Sequence, residues 1–138
     1  MTPLYLDLSK PALAEVSAAM EYVRATGGDA EAFAARVAQL FREAAASLAE
    51  EVADNDTGKP FDQPDAAASI RYSQPVYRLR IETATKRKRG SSAGLWFAYY
   101  ALRAKSATDK PDTLYIHAFR HSAGRPFNAD GDTGQDGE

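Results

Sequence analysis

The chain has 138 residues, 17 Lys+Arg against 19 Asp+Glu, two His and no Cys, and is 44% hydrophobic. That supports one domain with a modest core, is too short for two ordinary domains and too apolar for wholesale disorder. Without cysteine there is no disulfide framework, thiolate nucleophile or cysteine-ligated zinc site, and no apolar run approaches the ~20 residues of a membrane helix. Residues 1–7 lack the basic flank and apolar stretch of a signal peptide, so a cytoplasmic protein with no membrane attachment is expected.

Leu4, Leu6 and Leu8 alternate with Tyr5 and Asp7, a short strand pattern. Ser9 suits a helix N-cap, and Pro11 is tolerated in the first turn that follows. Leu13, Val16, Met20 and Val23 then recur at steps of three and four, which makes one apolar helical stripe. Gly27 and Gly28 end that helix, and Asp29 is placed to cap the next. There Phe33, Val37, Leu40, Phe41, Ala44, Leu48 and Val52 share a face, so two Ala-rich helices form an antiparallel hairpin.

Residues 54–69, with Gly58, Pro60 and Pro64, show neither period and read as loop. Three strand patterns follow, at 76–83, 95–102 and 113–119. Their connections are a basic, flexible 84–94 and a polar 103–112, so an antiparallel meander is the simplest arrangement. In the last strand Leu114/Ile116/Ala118 and Tyr115/His117/Phe119 have equal title to be the core set. Residues 128–138, rich in Gly and Asp, form an acidic tail expected to be disordered. The predicted fold is α+β, one domain over 1–127 in the order β-α-α-β-β-β. The helical hairpin packs on one face of a small, mainly antiparallel sheet.

The net charge of −2 conceals a segregation. Residues 1–69 carry 5 basic and 12 acidic side chains, residues 70–125 carry 12 basic and 3 acidic, and the remaining 4 acidic groups lie in the tail. Local potential steers a polyanion, so the basic half is the place to look for a binding face. Arg78 and Arg80 are out of phase with Leu79 and Ile81, which turns them to the sheet face away from the helices, with Glu82 as a possible partner. Two guanidiniums at i and i+2 can cradle successive phosphates. Lys86, Arg87, Lys88 and Arg89 make a basic finger suited to a nucleic-acid backbone. Trp96 and Tyr100 share parity and are candidates for stacking on bases, against the commoner role of strand aromatics as core. His117 lies mid-strand and reads as structural, and two histidines without clustered carboxylates make no metal site.

Several segments together resemble the RelE/ParE superfamily of toxin–antitoxin toxins. The run from Leu4 to Leu13 is similar to the family's first strand entering a helix. Tyr77-Arg78-Leu79-Arg80 is similar to the Tyr-basic-aliphatic-basic strand of the RelE branch. Gly94 to Tyr100 resembles the following "Gly-x-Arg-x-x-Tyr" strand, and Ile116 to His121 resembles the last strand with its terminal His or basic cluster.

The resemblance implies a compact cytoplasmic toxin bound by a cognate antitoxin. RelE-type members cleave mRNA on the ribosome without metal or other cofactor, and ParE-type members poison DNA gyrase. On the first reading Arg80 and Arg120 hold and neutralise the phosphate, with Arg78 and Arg125 as further contacts, and His121 is the candidate for proton transfer. One departure stands out: Trp96 occupies the position where RelE-type toxins often carry an active-site Arg. A ParE-like gyrase inhibitor and a diverged, non-toxic RelE-like binding protein are therefore the alternatives.

Overall fold

Ser9 links the first strand, the first helix and the central sheet. Its backbone N–H donates to the Ile116 carbonyl at 3.0 Å, its hydroxyl donates to the His117 carbonyl at 2.9 Å, and the same oxygen accepts the Ala12 N–H at 3.0 Å. The computed structural model describes residues 2–54, 59–60, 62–83, 94–104 and 110–122. In chain order its elements are β1 (Tyr5–Leu8), α1 (Lys10–Ala25), α2 (Ala30–Asp54), α3 (Ala66–Tyr72), β2 (Tyr77–Glu82), β3 (Leu95–Arg103) and β4 (Thr113–His121). The fold is α+β.

The sheet order is β1-β4-β3-β2. β2, β3 and β4 form the expected antiparallel meander, and β1 adds to β4 in parallel, making the sheet mixed. The short connection between α1 and α2 is set by Gly27 at φ +89° and by Gly28, where a Cβ would come within 2.7 Å of Val23 Cγ1. The hairpin stripes cover one sheet face: Phe33, Val37, Phe41, Leu48 and Ala49 bury against Tyr77, Ile81, Trp96, Tyr100, Leu114, Ile116 and Phe119. Among the described residues no helix is long and apolar enough to cross a membrane.

The ambiguity in β4 is resolved by a bulge. Tyr99 pairs with Ala118 but Tyr100 pairs with Ile116, so His117 has no opposite residue on β3. Leu114 and Ile116 therefore face the hairpin before the bulge and Phe119 faces it after, each drawn from a different one of the two candidate core sets.

The element order needs one correction. Part of the 54–69 segment read as loop begins a third helix, α3, so the order is β-α-α-α-β-β-β. Asp65 caps α3 by accepting the Ala68 N–H at 3.0 Å, and Ser73 closes it in the left-handed conformation at φ +57°. Seven residues give two turns and no readable stripe, which is why periodicity missed it. α3 lies against the other sheet face, where Ala68 and Val76 bury with Tyr99 and Ala118. That face is thus partly covered, where the sequence suggested it was open. The basic finger at Lys86, Arg87, Lys88 and Arg89, Arg125, and the tail at 128–138 lie outside the described residues.

Phe119→Ala is expected to cost about 3–5 kcal/mol by opening a cavity beneath the hairpin. Ser9→Ala should cost about 1–2 kcal/mol, because it removes a cap and orphans the His117 carbonyl. Equilibrium urea unfolding of both variants measures these losses; a Ser9→Ala midpoint equal to wild type would refute the linking role.

Candidate nucleic-acid interface

Strand register turns the sequence pattern into a surface. Arg80 on β2 stands opposite Phe97 on β3, and Phe97 stands opposite Arg120 on β4. Directly opposed residues share a face, so the two arginines flank one aromatic ring with about 10 Å between their backbones. In the adjacent row Arg78, Tyr99 and Ala118 are aligned in the same way. Trp96, Ala98 and Tyr100, on the alternate positions of β3, point to the hairpin instead.

Arg78 is exposed and its guanidinium sits 4.3 Å above the centre of the Phe97 ring. Arg stacks on an aromatic face while its edge N–H groups remain available to an anion. Arg80 is likewise exposed, and its Nε lies 3.3 Å from Glu82 Oε2, with the two side chains 56% and 47% exposed. An exposed pair of this kind contributes about 0–1 kcal/mol, so a phosphate can displace it. The expectation that Arg78, Arg80 and Glu82 point away from the helical hairpin is met.

Arg120 is more enclosed. Its Nε is 3.9 Å from Glu15 Oε2, and Glu15 Oε1 accepts the Phe119 N–H at 2.8 Å. The acidic N-terminal half thus supplies carboxylates to the basic face, Glu15 beside Arg120 and Asp65 near Tyr99. Tyr99 reports the local field: burial first, then the nearby Asp65 carboxylate, push its phenol up, while Arg78 and Arg120 pull it back. At neutral pH it is a hydroxyl, suited to donate a hydrogen bond.

The other candidates separate. Trp96 and Tyr100 are 7% and 2% exposed and pack in the core, Trp96 stacked on Phe119 at 5.1 Å and Tyr100 on Tyr77 at 5.5 Å. Their rings are not offered to bases, because their parity turns them under the hairpin. His121 shares that side, 4.8 Å from the Trp96 ring and 6.1 Å from Tyr22. It lines a mainly apolar groove of about 430 Å³ with Glu15, Ala18, Ala19, Tyr22, Trp96 and Phe119. The fold therefore brings Arg78, Arg80 and Arg120 to one face and leaves His121 on the other.

His117 is the histidine on the arginine side. It is 7% exposed, stacked on Tyr72 at 4.1 Å and edge-on to Tyr115 at 4.9 Å. Its Nε2 is 3.0 Å from Gln74 Nε2; an amide nitrogen only donates, so the imidazole accepts there and its proton sits on Nδ1. Burial first, and then Arg103, lower its pKa to about 4, so the ring is neutral at pH 7. This supports the structural role expected for it.

Sequence reasoning did not single out Arg71 or Arg103. Arg71 lies on the unread helix α3, and Arg103 falls just past the predicted strand, stacked 3.7 Å over Tyr115. Its parity with Phe97 and Tyr99 was the available signal. Among the described residues no group of three or more His, Asp or Glu side chains is arranged to hold a metal.

No protein-family model, curated protein or solved structure was found to match this chain.

A histidine held below its unfolded pKa resists protonation in the native state. Stability should be full above about pH 6.5 and fall by about 2 kcal/mol between pH 7 and pH 5. Urea unfolding across that range measures the slope, and His117→Gln should remove most of it; an unchanged slope in the variant would contradict the assignment.

Proposed function

We propose that this chain is a RelE/ParE-like protein that binds single-stranded RNA, in the setting of the ribosome, on the arginine side of β2, β3 and β4. The observation that carries this reading is the row Arg80–Phe97–Arg120 with Arg78 stacked on the same ring. Cations spaced along an extended strand match a single-stranded backbone, and an aromatic ring among them gives a base or ribose an apolar contact. Sequence supports it through the concentration of basic residues in the C-terminal half, and through the Tyr77-Arg78-Leu79-Arg80 strand that resembles the RelE branch. In this reading Arg78 and Arg80 engage the backbone first, being exposed, and Arg120 completes the row.

Metal-independent cleavage is the further step of a RelE-type mRNA interferase. It requires an acid and a base beside the scissile phosphate in addition to the cations. A second reading, a ParE-like inhibitor of DNA gyrase that cleaves nothing, is favoured by one observation. His121, the candidate for proton transfer, lies across the sheet from Arg80 and Arg120, and the histidine on their own side is neutral and sandwiched between tyrosines. In either case the partner that silences a toxin of this type would be a cognate antitoxin.

Replacing both Arg78 and Arg80 by Ala should weaken binding to a short unstructured RNA about tenfold or more. It should also flatten the dependence of log Kd on log salt by roughly 1.4, the contribution of two single-strand phosphate contacts. Fluorescence anisotropy at several salt concentrations reads both; unchanged affinity and slope would defeat the RNA-binding reading. Ribosome-dependent mRNA cleavage by wild type, lost in Arg80→Ala, supports the interferase. Gyrase–DNA adducts without cleavage support the inhibitor.

A further inference from the structure

β2 is one rim of the sheet: it pairs with β3 on one side and, among the described residues, with no strand on the other. Thr83 fixes the phase of its backbone. The Thr83 N–H donates to the Gly94 carbonyl at 2.7 Å, one step beyond the Glu82–Leu95 pair. Tyr77, Leu79 and Ile81 therefore direct their N–H and C=O groups to β3, and Arg78, Arg80 and Glu82 direct theirs outward along the rim. The side chains of those same three residues are exposed on the arginine face. The opposite rim is less open: β1 has four residues, and the Leu4 N–H already donates to the Ala45 carbonyl of α2 at 3.2 Å.

A rim of outward N–H and C=O groups is a template for another extended chain, and charges commonly guard it. Charges of one sign repel a second copy of the same strand, but the β2 rim carries both signs two residues apart, at Arg80 and Glu82. Outward groups must face one another, so the two-fold axis of an antiparallel pair passes through a residue. An axis at Leu79 opposes Arg78 to Arg80 twice. An axis at Arg80 gains two Arg78–Glu82 pairs but sets the two Arg80 side chains against each other at its centre, and an axis at Glu82 does the same to the carboxylates. An axis at Ile81 alone opposes only unlike charges: Arg80 faces Glu82 of the second copy, and Glu82 faces its Arg80. In that register each Arg80–Glu82 pair exchanges two backbone hydrogen bonds. On the hairpin side Leu79 meets Thr83 of the second copy, and both are half-buried in the single chain. Arg80 keeps its own-chain contact with Glu82 at 3.3 Å, because a guanidinium has five donors and a carboxylate two oxygens to share.

We propose that this chain dimerises through the outer edge of β2, antiparallel to a second copy of itself and with Ile81 on the two-fold axis. The two four-stranded sheets then form one sheet of twice the width. The axis stands perpendicular to that sheet, so both helical hairpins lie on one side and both arginine faces on the other. The Arg80–Phe97–Arg120 rows of the two copies flank the axis. The dimer rests on the strand edge and stands apart from the function proposed above.

Sedimentation velocity of the full chain tests association from about 10 μM to about 1 mM. A concentration-dependent rise from 15.0 kDa to twice that mass is expected, and a chain that stays at 15.0 kDa throughout overturns the proposal. Amide hydrogen exchange of the wild type, followed by 1H–15N NMR over the same range, locates the contact. The Arg80 and Glu82 amides should gain at least tenfold protection as the dimer forms. A dimer that leaves both amides unprotected associates through another surface and overturns the β2 edge. Glu82→Arg and Arg80→Glu should each weaken the dimer at least tenfold by opposing like charges. The double exchange Arg80→Glu/Glu82→Arg should restore it, because the same register then opposes the same charges in reverse. A dimer unmoved by either single change, or a double variant with no recovery, overturns the Ile81 register. Circular dichroism checks that the variants fold, and the two wild-type measurements do not depend on them.

Discussion

In β4 the alternation of side chains reverses at His117, and much of the molecule follows from that reversal. With strict alternation after Leu114 and Ile116, Arg120 would point into the hairpin core and Phe119 would point to the opposite face. The extra residue in the ladder sends Phe119 inward to Phe33, Phe41 and Trp96 and turns Arg120 outward beside Phe97. A buried guanidinium without close partners costs several kcal/mol, so the alternative register is strongly disfavoured. Ser9 holds the bulge from outside: its N–H and hydroxyl bond the carbonyls of Ile116 and His117, the two residues where the ladder slips.

The same strand divides two chemistries. On the hairpin side the aromatic rings of Tyr22, Trp96, Phe119 and His121 line a mainly apolar groove. On the other side, among the described residues, lie five arginines, at 71, 78, 80, 103 and 120, interleaved with Phe97, Tyr99, Tyr115 and Tyr72. Glu15 and Glu82 hold Arg120 and Arg80 at 3.9 Å and 3.3 Å, and the Asp65 carboxylate lies near Tyr99. These contacts tune the face without closing it, because the Arg80–Glu82 pair is half exposed and cheap to open, and Arg78 is engaged by rings rather than by acid.

Much of the fold was legible along the chain. Leu4, Leu6 and Leu8, the Ser9 cap, the stripes of the two long helices and the three C-terminal strands were readable as local patterns, except that Leu13, read into the first stripe, is 54% exposed while Ala12 and Ala19 of α1 are buried. α3 was not, since two Ala-rich turns capped by Asp65 carry no period and follow two prolines. The outward direction of Arg78 and Arg80 was legible because they alternate with the aliphatic Leu79 and Ile81, which seek the helical hairpin. The roles first considered for Trp96, Tyr100 and His121 were not decidable in this way, since parity groups residues on a face without saying which face the helices cover.

By itself the sequence determined the element types, the pairing of hydrophobic stripes with one sheet face, and the segregation of basic residues into the second half. Propensity, capping and periodicity act between neighbours in the chain, which is why these features survive in one dimension. Tertiary structure alone decided that β1 joins β4 in parallel, that a bulge exchanges the two halves of β4, and that Arg71 and Arg120, 49 positions apart by their numbering, meet around one cavity. Those outcomes depend on the register and packing of segments distant in sequence, and no local pattern encodes the point at which a ladder slips.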